Sequence, residues 1–181
     1  MENRIAKIIS SYPSGKQKYL DFYSRYFENL NPKVLLEIGV FKGDSLRTWK
    51  EVFPQCKVHG IDIDTKTLTW SPELSIFIGN QKDTSFIDSV LSKIGFPDIV
   101  IDDGGHKRSE QITSLSYIFP KLWPDSIYII EDLQVSESKP WNDSEISAID
   151  YLKSLIGPNG RPVKLNYRTL TFESSICMLV K

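Results

Sequence analysis

Acidic side chains stand at two places in the sequence where a buried strand is predicted to end. The first is the run Asp-Asp-Gly-Gly-His at residues 102–106, and the second is the pair Glu131 and Asp132. In an open parallel sheet, ligands bind beyond the carboxyl ends of the strands, where these residues would lie. We therefore expect four carboxylates and one histidine to crowd into one small region.

A cation is the expected occupant of this acidic region. So many like charges repel one another and would raise some of their pKa values unless a cation lies among them. Carboxylate oxygens are the ligands that Mg²⁺, Mn²⁺ and Ca²⁺ prefer, whereas one histidine without a suitable cysteine set disfavours zinc. The pattern predicts a divalent metal site. The alternative is that these acids only cap loops and helices.

His106 is one of two histidines, and it directly follows a Gly-Gly loop beside the expected metal, so we expect it to be mobile and close to a substrate. A neutral imidazole is available near pH 7, which suits a general base. The alternative is a histidine that only supports the metal site from outside. His59 lies inside a predicted strand, so we expect it to be structural.

A second chemical motif, Glu-x-Gly-x-x-x-Gly, occupies residues 37–43 between a predicted strand and a predicted helix. Glycines allow a tight turn and close approach of a ligand, and the helix N-terminus offers free N–H groups. Glu37 would repel a pyrophosphate, but it suits a ligand that carries an amine and a sulfonium cation. A plain strand–helix turn is the alternative.

Asp62 ends the second predicted strand, about twenty residues later. An acid at that position accepts hydrogen bonds from the ribose hydroxyls of an adenosine. Because NAD and S-adenosylmethionine both contain adenosine, Asp62 indicates the nucleoside rather than the reaction. After the third strand, Gln81 and Asp83 are placed to reach the adenine edge. Asp83 is equally suited to cap the next helix.

Short β-rich runs alternate with helical periodicity, which predicts parallel strands joined by helical crossovers and covered on both faces. The strands are predicted at 34–38, 58–61, 75–78, 98–101, 126–130, 163–167 and 175–180. Three helices are predicted at about 16–30, 84–94 and 109–119. Two more are predicted to be capped by Asp44 or Ser45 and by Asp143 or Ser144, and the second of these ends at 156. The last two strands have a short connection and are predicted to pair antiparallel at an edge.

The composition is that of one globular domain over residues 1–181, with a helical segment at about 1–32. The chain is 40% hydrophobic and 25% charged, and its net charge of -1 argues against nucleic-acid binding by bulk charge. No stretch approaches the roughly 20 apolar residues of a membrane span, and the N-terminus has no secretory signal. We therefore expect a cytoplasmic protein. Cys56 and Cys177 are expected to be reduced.

Together, several of these motifs resemble the metal-dependent sugar O-methyltransferases of macrolide biosynthesis, such as the macrocin and mycinamicin enzymes. Cephalosporin hydroxylase-type proteins share the same motif set. The likeness covers about residues 12–135, and its motifs lie at 37–43 with Ser45, at 79–83, at 102–106 and at 128–133. The resemblance implies a class I methyltransferase fold of the α/β type. That fold is Rossmann-like, with a seven-stranded, mostly parallel sheet, antiparallel last strands and helices on both faces.

The resemblance also implies roles for individual residues. Asp103, Glu131 and Asp132 would bind Mg²⁺ or Mn²⁺, and His106 would be the general base. The residues implied to line the S-adenosylmethionine site are Glu37, Gly39, Gly43, Ser45, Asp62, Gln81, Asp83 and Asp102.

Two departures limit what the resemblance implies. Gly105 stands where serine is commoner, which would loosen the loop. We also expect no counterpart of the long N-terminal region with which the macrolide enzymes assemble and enclose their substrate. Macrolide specificity is therefore not expected, and a homo-oligomer is neither required nor excluded.

The expected activity is methyl transfer from S-adenosylmethionine to a hydroxyl of a sugar or a glycosylated small molecule. Two vicinal hydroxyls would suit a metal-dependent site, so a catechol is the alternative acceptor. An NAD-dependent dehydrogenase is a second alternative, which Glu37 disfavours because pyrophosphate is anionic. A non-catalytic module that only binds the cofactor is a third, which the intact acid cluster disfavours.

Overall fold

The computed structural model describes residues 3–181, so the first two residues of the predicted N-terminal segment lie outside the described residues. Its centre is a seven-stranded sheet with the order β3-β2-β1-β4-β5-β7-β6. The strands are β1 Val34–Ile38, β2 Lys57–Asp62, β3 Ser75–Ile78, β4 Ile99–Asp102, β5 Ile127–Ile130, β6 Thr169–Glu173 and β7 Ile176–Val180. Within residues 3–181, no helix is both long enough and apolar enough to cross a bilayer.

Strands β1 to β5 are parallel, and β7 runs antiparallel between β5 and β6. The carboxyl ends of β1 to β5 therefore share one edge of the sheet. The chain starts with β1 in the middle, builds outward to β3, and returns to place β4 on the other side of β1. The loops after β1 and β4 thus diverge at a switch point, where a ligand crevice forms in such sheets.

Helices cover both faces of the sheet. They are α1 Arg4–Ser11, α2 Leu20–Phe27, α3 Asp44–Val52, α4 Lys66–Trp70, α5 Thr84–Ile94, α6 Arg108–Ile118 and α7 Ala148–Lys153. Alternate strand residues point to opposite faces. Ile101 and Ile129 pack in one hydrophobic cluster with residues of α1, α2 and α3, whereas Val100 and Tyr128 pack with α5, α6 and α7.

Several predicted elements are confirmed, and the predicted sixth strand is wrong. β1, β3 and α5 have the bounds that the sequence predicted. Residues 163–167 form no strand; Leu165 and Tyr167 are buried there, but the backbone is irregular and Lys164 has a positive φ of 66°. Strand β6 forms instead at Thr169–Glu173, because a two-residue turn joins it directly to its partner β7.

The last long helix is also shorter than predicted. It begins at Ala148 rather than after residue 143 or 144, because the Ser147 side chain accepts a hydrogen bond from the Asp150 amide at 2.9 Å. The Asp143 side chain instead accepts a hydrogen bond from the Ser109 amide at 3.0 Å. Ile146 lies before the helix and is exposed.

The first two predicted helix boundaries are shifted as well. The segment predicted at 16–30 consists of a 3₁₀ turn, Lys16–Tyr19, followed by α2. Neither Asp44 nor Ser45 caps α3; Gly43 takes that position with a positive φ of 80°.

Candidate active site

A cavity of about 410 Å³ opens at the carboxyl ends of β1 and β2 and reaches the loops after β3 and β4. Four residues of the predicted cofactor set line it: Gly39, Ser45, Asp62 and Gln81. Asp103 and His106 also line it. The other four members of the cofactor set, Glu37, Gly43, Asp83 and Asp102, do not line this cavity.

Gly39 joins the two sides of the switch point. Its φ is 90°, and a Cβ atom built on it would lie 2.1 Å from the carbonyl oxygen of Asp103. Only glycine permits both this backbone conformation and this close approach. The Asp103 amide in turn donates to the Ile38 carbonyl at 2.9 Å, so the loops after β1 and β4 pack directly together.

Asp62 organises the loop that follows β1. Its Oδ2 accepts hydrogen bonds from the amides of Val40 at 2.8 Å and Phe41 at 2.9 Å, and its Oδ1 accepts from the Asp64 amide at 2.8 Å. The carboxylate therefore holds the cavity wall in place. Carboxylate oxygens accept more than one hydrogen bond each, so Asp62 keeps acceptor capacity towards the cavity.

Gln81 links the loop after β3 to the loop after β4. Its Nε2 donates to Asp102 Oδ1 at 3.2 Å, and its Oε1 accepts from the Gly105 amide at 2.8 Å. Both ends of the amide are thus engaged within the protein. Asp83 is a helix cap, the second of the two roles that the sequence left open for it. Its Oδ1 accepts hydrogen bonds from the amides of Ser85 and Phe86 at the start of α5.

Asp102 is fully buried and points away from the cavity. Burial raises its pKa to about 6, although hydrogen bonds from Ser114, Tyr128, Gly104 and Gln81 favour the charged form. Its neighbour Asp103 faces the other way, into the cavity. The alternation of side chains at the end of β4 therefore separates two adjacent acids that the sequence grouped together.

Asp103, His106 and Asp132 form the group best placed to hold a metal ion. One ligand atom from each lies within 4.8 Å of the others. His106 Nε2 is 3.9 Å from Asp103 Oδ1 and 4.0 Å from Asp132 Oδ2. The two carboxylates suit Mg²⁺ or Mn²⁺, and the imidazole lies beside them.

The backbone at this group is strained. His106 has a φ of 58° and Asp132 a φ of 53°, both in the left-handed region that non-glycine residues rarely adopt. Such strain is concentrated at functional sites. The His106 ring lies near Trp141, with 6.2 Å between centroids in an edge-to-face arrangement. Its Nδ1 is buried and has no hydrogen-bond partner among residues 3–181.

Sequence reasoning missed two lysines that enter the acidic region. Lys16, in the 3₁₀ turn, is fully buried, and its Nζ lies 2.9 Å from Glu37 Oε1, 2.8 Å from Asp103 Oδ2 and 2.7 Å from Glu131 Oε1. Burial alone would lower the pKa of Lys16, but the three carboxylates outweigh it and raise that pKa. Lys18, two residues later, is 45% exposed and pairs with Asp132 Oδ2.

Two tyrosines from the same segment complete these contacts. The Tyr23 hydroxyl donates to Glu131 Oε1, and the Tyr19 hydroxyl donates to Asp132 Oδ1 at 2.8 Å. Burial alone would raise the pKa of Asp132, but the hydrogen bonds from Lys18 and Tyr19 outweigh it and lower that pKa. The signal in the sequence is that Lys16 occupies a position in the apolar stripe of this segment, where a lysine needs partners.

Glu131 is thus placed differently from Asp103 and Asp132. It is fully buried, one oxygen is held by Lys16 and Tyr23, and the other has no hydrogen-bond partner within the described part of the chain. Burial raises the pKa of Glu131, and the Lys16 ammonium opposes that rise.

The parallel β1–β5 core, the antiparallel β7 inserted before β6, and the cavity over the β1 loop define the class I, Rossmann-like methyltransferase fold. The predicted fold class is therefore confirmed. No protein-family model matches the chain.

Relatives and solved structures identify the kind of methyltransferase that the chain resembles. An 8-demethyl-8-alpha-L-rhamnosyl tetracenomycin-C 2'-O-methyltransferase of Streptomyces olivaceus is 32% identical over 155 residues, which are 78% of this chain and 41% of that protein. The mycinamicin VI 2''-O-methyltransferase of Micromonospora griseorubida is 34% identical over 142 residues, 71% of this chain and 36% of that protein.

A solved structure of the MycE methyltransferase from the mycinamycin biosynthetic pathway, in complex with Mg and SAH, superposes with a TM-score of 0.81 at 27% identity. The match covers 100% of this chain and 54% of that one. A second MycE structure also contains mycinamycin VI and has a TM-score of 0.82 at 26% identity, over 99% of this chain and 54% of that one. The chain is therefore a homologue of sugar O-methyltransferases, and it spans about two fifths of the two relatives' length.

Proposed function

We propose that this chain is a single methyltransferase domain that transfers a methyl group from S-adenosylmethionine to a sugar hydroxyl with the help of Mg²⁺ or Mn²⁺. The observation that carries the proposal is the position of Asp103, His106 and Asp132. Their ligand atoms converge within 4.8 Å, and two of the three residues, Asp103 and His106, line the cavity that opens at the switch point of a class I methyltransferase sheet.

The cavity suits the cofactor in size and in chemistry. Its volume of about 410 Å³ lies within the roughly 300–1,000 Å³ of small-molecule sites. Gly39 and the buried Ser45 form the wall at the start of α3, and Asp62 offers a carboxylate for the ribose. Glu37 supports this wall from behind, because its Oε2 accepts a hydrogen bond from the Ser45 hydroxyl at 2.7 Å.

The donor atoms that remain available fit a hard divalent cation. They are Asp103 Oδ1, Asp132 Oδ2 once Lys18 releases it, and the buried Glu131 Oε2. These three carboxylates would hold the metal beside His106. When bound, a divalent cation stabilises the charge that develops on an acceptor hydroxyl and lowers its pKa.

His106 is the proposed general base. Its Nε2 is near both Asp103 and Asp132, so a hydroxyl brought between them comes within reach of the ring. As the acceptor oxygen forms its bond to the methyl carbon, the bond from carbon to sulfur breaks and the hydroxyl proton moves to Nε2. The Trp141 ring beside His106 restricts its movement, which helps to align the reacting atoms.

The acceptor class follows from this geometry and from the relatives. Two neighbouring hydroxyls would fit beside the carboxylates better than one, and sugars offer such pairs. The relatives methylate sugars by name, and one MycE structure contains mycinamycin VI. We therefore infer a sugar or a glycosylated small molecule as the acceptor.

The test is a methyl-transfer assay with labelled S-adenosylmethionine on sugars, nucleotide sugars and catechols, run with Mg²⁺, Mn²⁺ or EDTA. We expect transfer to a sugar hydroxyl that disappears in EDTA and returns with either metal. Undiminished transfer in EDTA would contradict the metal's role, and transfer to catechols alone would contradict the acceptor class. Calorimetric binding of S-adenosylhomocysteine without turnover on any acceptor would indicate a binding module, and binding of NAD alone a dehydrogenase.

A further inference from the structure

A fully buried lysine stands behind the carboxylates of the proposed metal site. The Lys16 ammonium contacts Glu37, Asp103 and Glu131, which come from the ends of β1, β4 and β5. These partners are between 21 and 115 residues away from it in the sequence. An unpaired ammonium group is strongly disfavoured in the interior, so Lys16 is stable there only because all three acids surround it.

The oxygens that Lys16 binds are different from those that remain available for a metal. Lys16 binds Asp103 through Oδ2, whereas Oδ1 is the atom that faces His106. It binds Glu131 through Oε1, which Tyr23 also binds, and Oε2 is left without a hydrogen-bond partner among residues 3–181. Lys16 thus fixes one carboxylate oxygen of Asp103 and one of Glu131, and it leaves the second oxygen of both residues free.

The charges around Lys16 leave a defined deficit. Four carboxylates, those of Glu37, Asp103, Glu131 and Asp132, face two ammonium groups, those of Lys16 and Lys18. Two negative charges remain uncompensated while Lys18 is bound, and three once it leaves Asp132, which is unfavourable in a partly buried region. A divalent cation offsets more of this charge than a monovalent cation does.

We propose that Lys16 is a positioning residue for the metal: it holds Asp103 and Glu131 from behind and turns the free oxygen of each towards the ion. The inference rests on the proposed function, because it concerns the metal of that same site. Groups that orient metal ligands from behind are worth roughly 10–100-fold in metal affinity.

Lys18 provides a matched control in the same turn. It binds Asp132 through Oδ2, the same oxygen that lies 4.0 Å from His106 Nε2, so it lies on the side where the metal would bind. It is 45% exposed and is free to move into solvent. Removing Lys18 therefore removes a competitor of the metal, whereas removing Lys16 removes a support of its ligands.

The experiment is calorimetric titration of Mn²⁺ into the wild-type chain and into Lys16→Met and Lys18→Met, with no acceptor present. We expect Lys16→Met to weaken Mn²⁺ binding by about 10–100-fold, and Lys18→Met to leave it unchanged or to strengthen it. Binding by Lys16→Met at or above wild-type affinity would overturn the positioning role alone. A wild-type chain that binds no Mn²⁺ would overturn the proposed metal function and this inference together.

Because Lys16→Met leaves buried carboxylates without their cation, a second set of variants keeps the test decisive if that variant does not fold. Glu131→Gln and the double variant Lys16→Met/Glu131→Gln differ only at Lys16, and the double variant removes one buried charge of each sign. Asp103 keeps its available oxygen in both. The double variant should bind Mn²⁺ several-fold more weakly than Glu131→Gln; equal affinities would refute the positioning role.

Discussion

At the end of β2 and in the loop after β3, carboxylates bind backbone amides, whereas in the loops after β4 and β5 they bind ammonium groups from a distant segment. Asp62 holds the amides of Val40 and Phe41, and Asp83 caps α5. Asp103 and Asp132 instead face Lys16 and Lys18. The two halves of the site satisfy their acids in different ways.

This difference teaches which half is preformed and which half must exchange partners. Backbone amides cannot leave, so a cofactor that uses Asp62 must share a carboxylate that is already fixed. The exposed side chain of Lys18 can leave Asp132, so a metal can take its place there. We expect substitutions in the metal half to act mainly on turnover, and substitutions in the cofactor half to act mainly on binding.

The largest effect is expected from Asp132→Asn. It removes a charged oxygen from the metal group, so metal-dependent turnover should be abolished while S-adenosylhomocysteine still binds. Asparagine is chosen because it tolerates the φ of 53° at this position better than alanine does. Rates with Mg²⁺ and calorimetric titration of the cofactor product would check this. Wild-type turnover by a folded variant would exclude Asp132 from the metal site.

The next largest effect is expected from His106→Asn, which again suits a left-handed backbone. General-base catalysis typically contributes about 10²–10⁴-fold, so the rate should fall by that order while affinity for S-adenosylhomocysteine barely changes. A variant that retains most of its rate at saturating Mg²⁺ would show that His106 is not the base.

A smaller effect is expected from Asp62→Ala in the cofactor half. The substitution removes the proposed ribose acceptor and releases the amides of Val40 and Phe41. A hydrogen bond to a charged group contributes about 1.5–3 kcal/mol, so affinity for S-adenosylhomocysteine should fall at least about tenfold. Titration calorimetry measures this directly, and an unchanged affinity would remove Asp62 from the cofactor site.

Asp83→Ala is the control for that measurement. Asp83 caps α5 and does not line the cavity, so its loss should lower the free energy of unfolding by about 1 kcal/mol. Affinity for S-adenosylhomocysteine should stay the same. A large loss of affinity in Asp83→Ala would erase the distinction between an acid that caps a helix and an acid that binds the cofactor.

The sequence predicted those parts of the fold that depend on local pattern. The patterns that mark β1, β3 and α5 lie entirely within a few consecutive residues. The predicted bounds of these three elements were correct. Strand β6 was not, because residues 163–167 and Thr169–Glu173 both resemble strands. Pairing with β7 through a two-residue turn, which is a tertiary effect, decides between them.

The candidate site divides in the same way. The gathering of Asp103, His106 and Asp132 followed from strand ends that must meet at one edge, and the structure brings them together. The burial of Lys16 could not be read locally, since its hydrogen-bonded partners Asp103 and Glu131 lie 87 and 115 residues away. The opposite directions of Asp102 and Asp103, in contrast, follow from side-chain alternation at a strand end and were predictable from the sequence.

The contact between Gly39 and the Asp103 carbonyl has a consequence for redesign of this protein. A side chain at position 39 would collide with backbone rather than with a movable group, so no change of rotamer can relieve it. The loops after β1 and β4 must therefore be exchanged together in any chimaera. Phe41, two residues further on, is 67% exposed at the cavity rim. Substitutions intended to alter cofactor preference can therefore be accommodated at position 41, at the cavity rim, but not at position 39, at the cavity base.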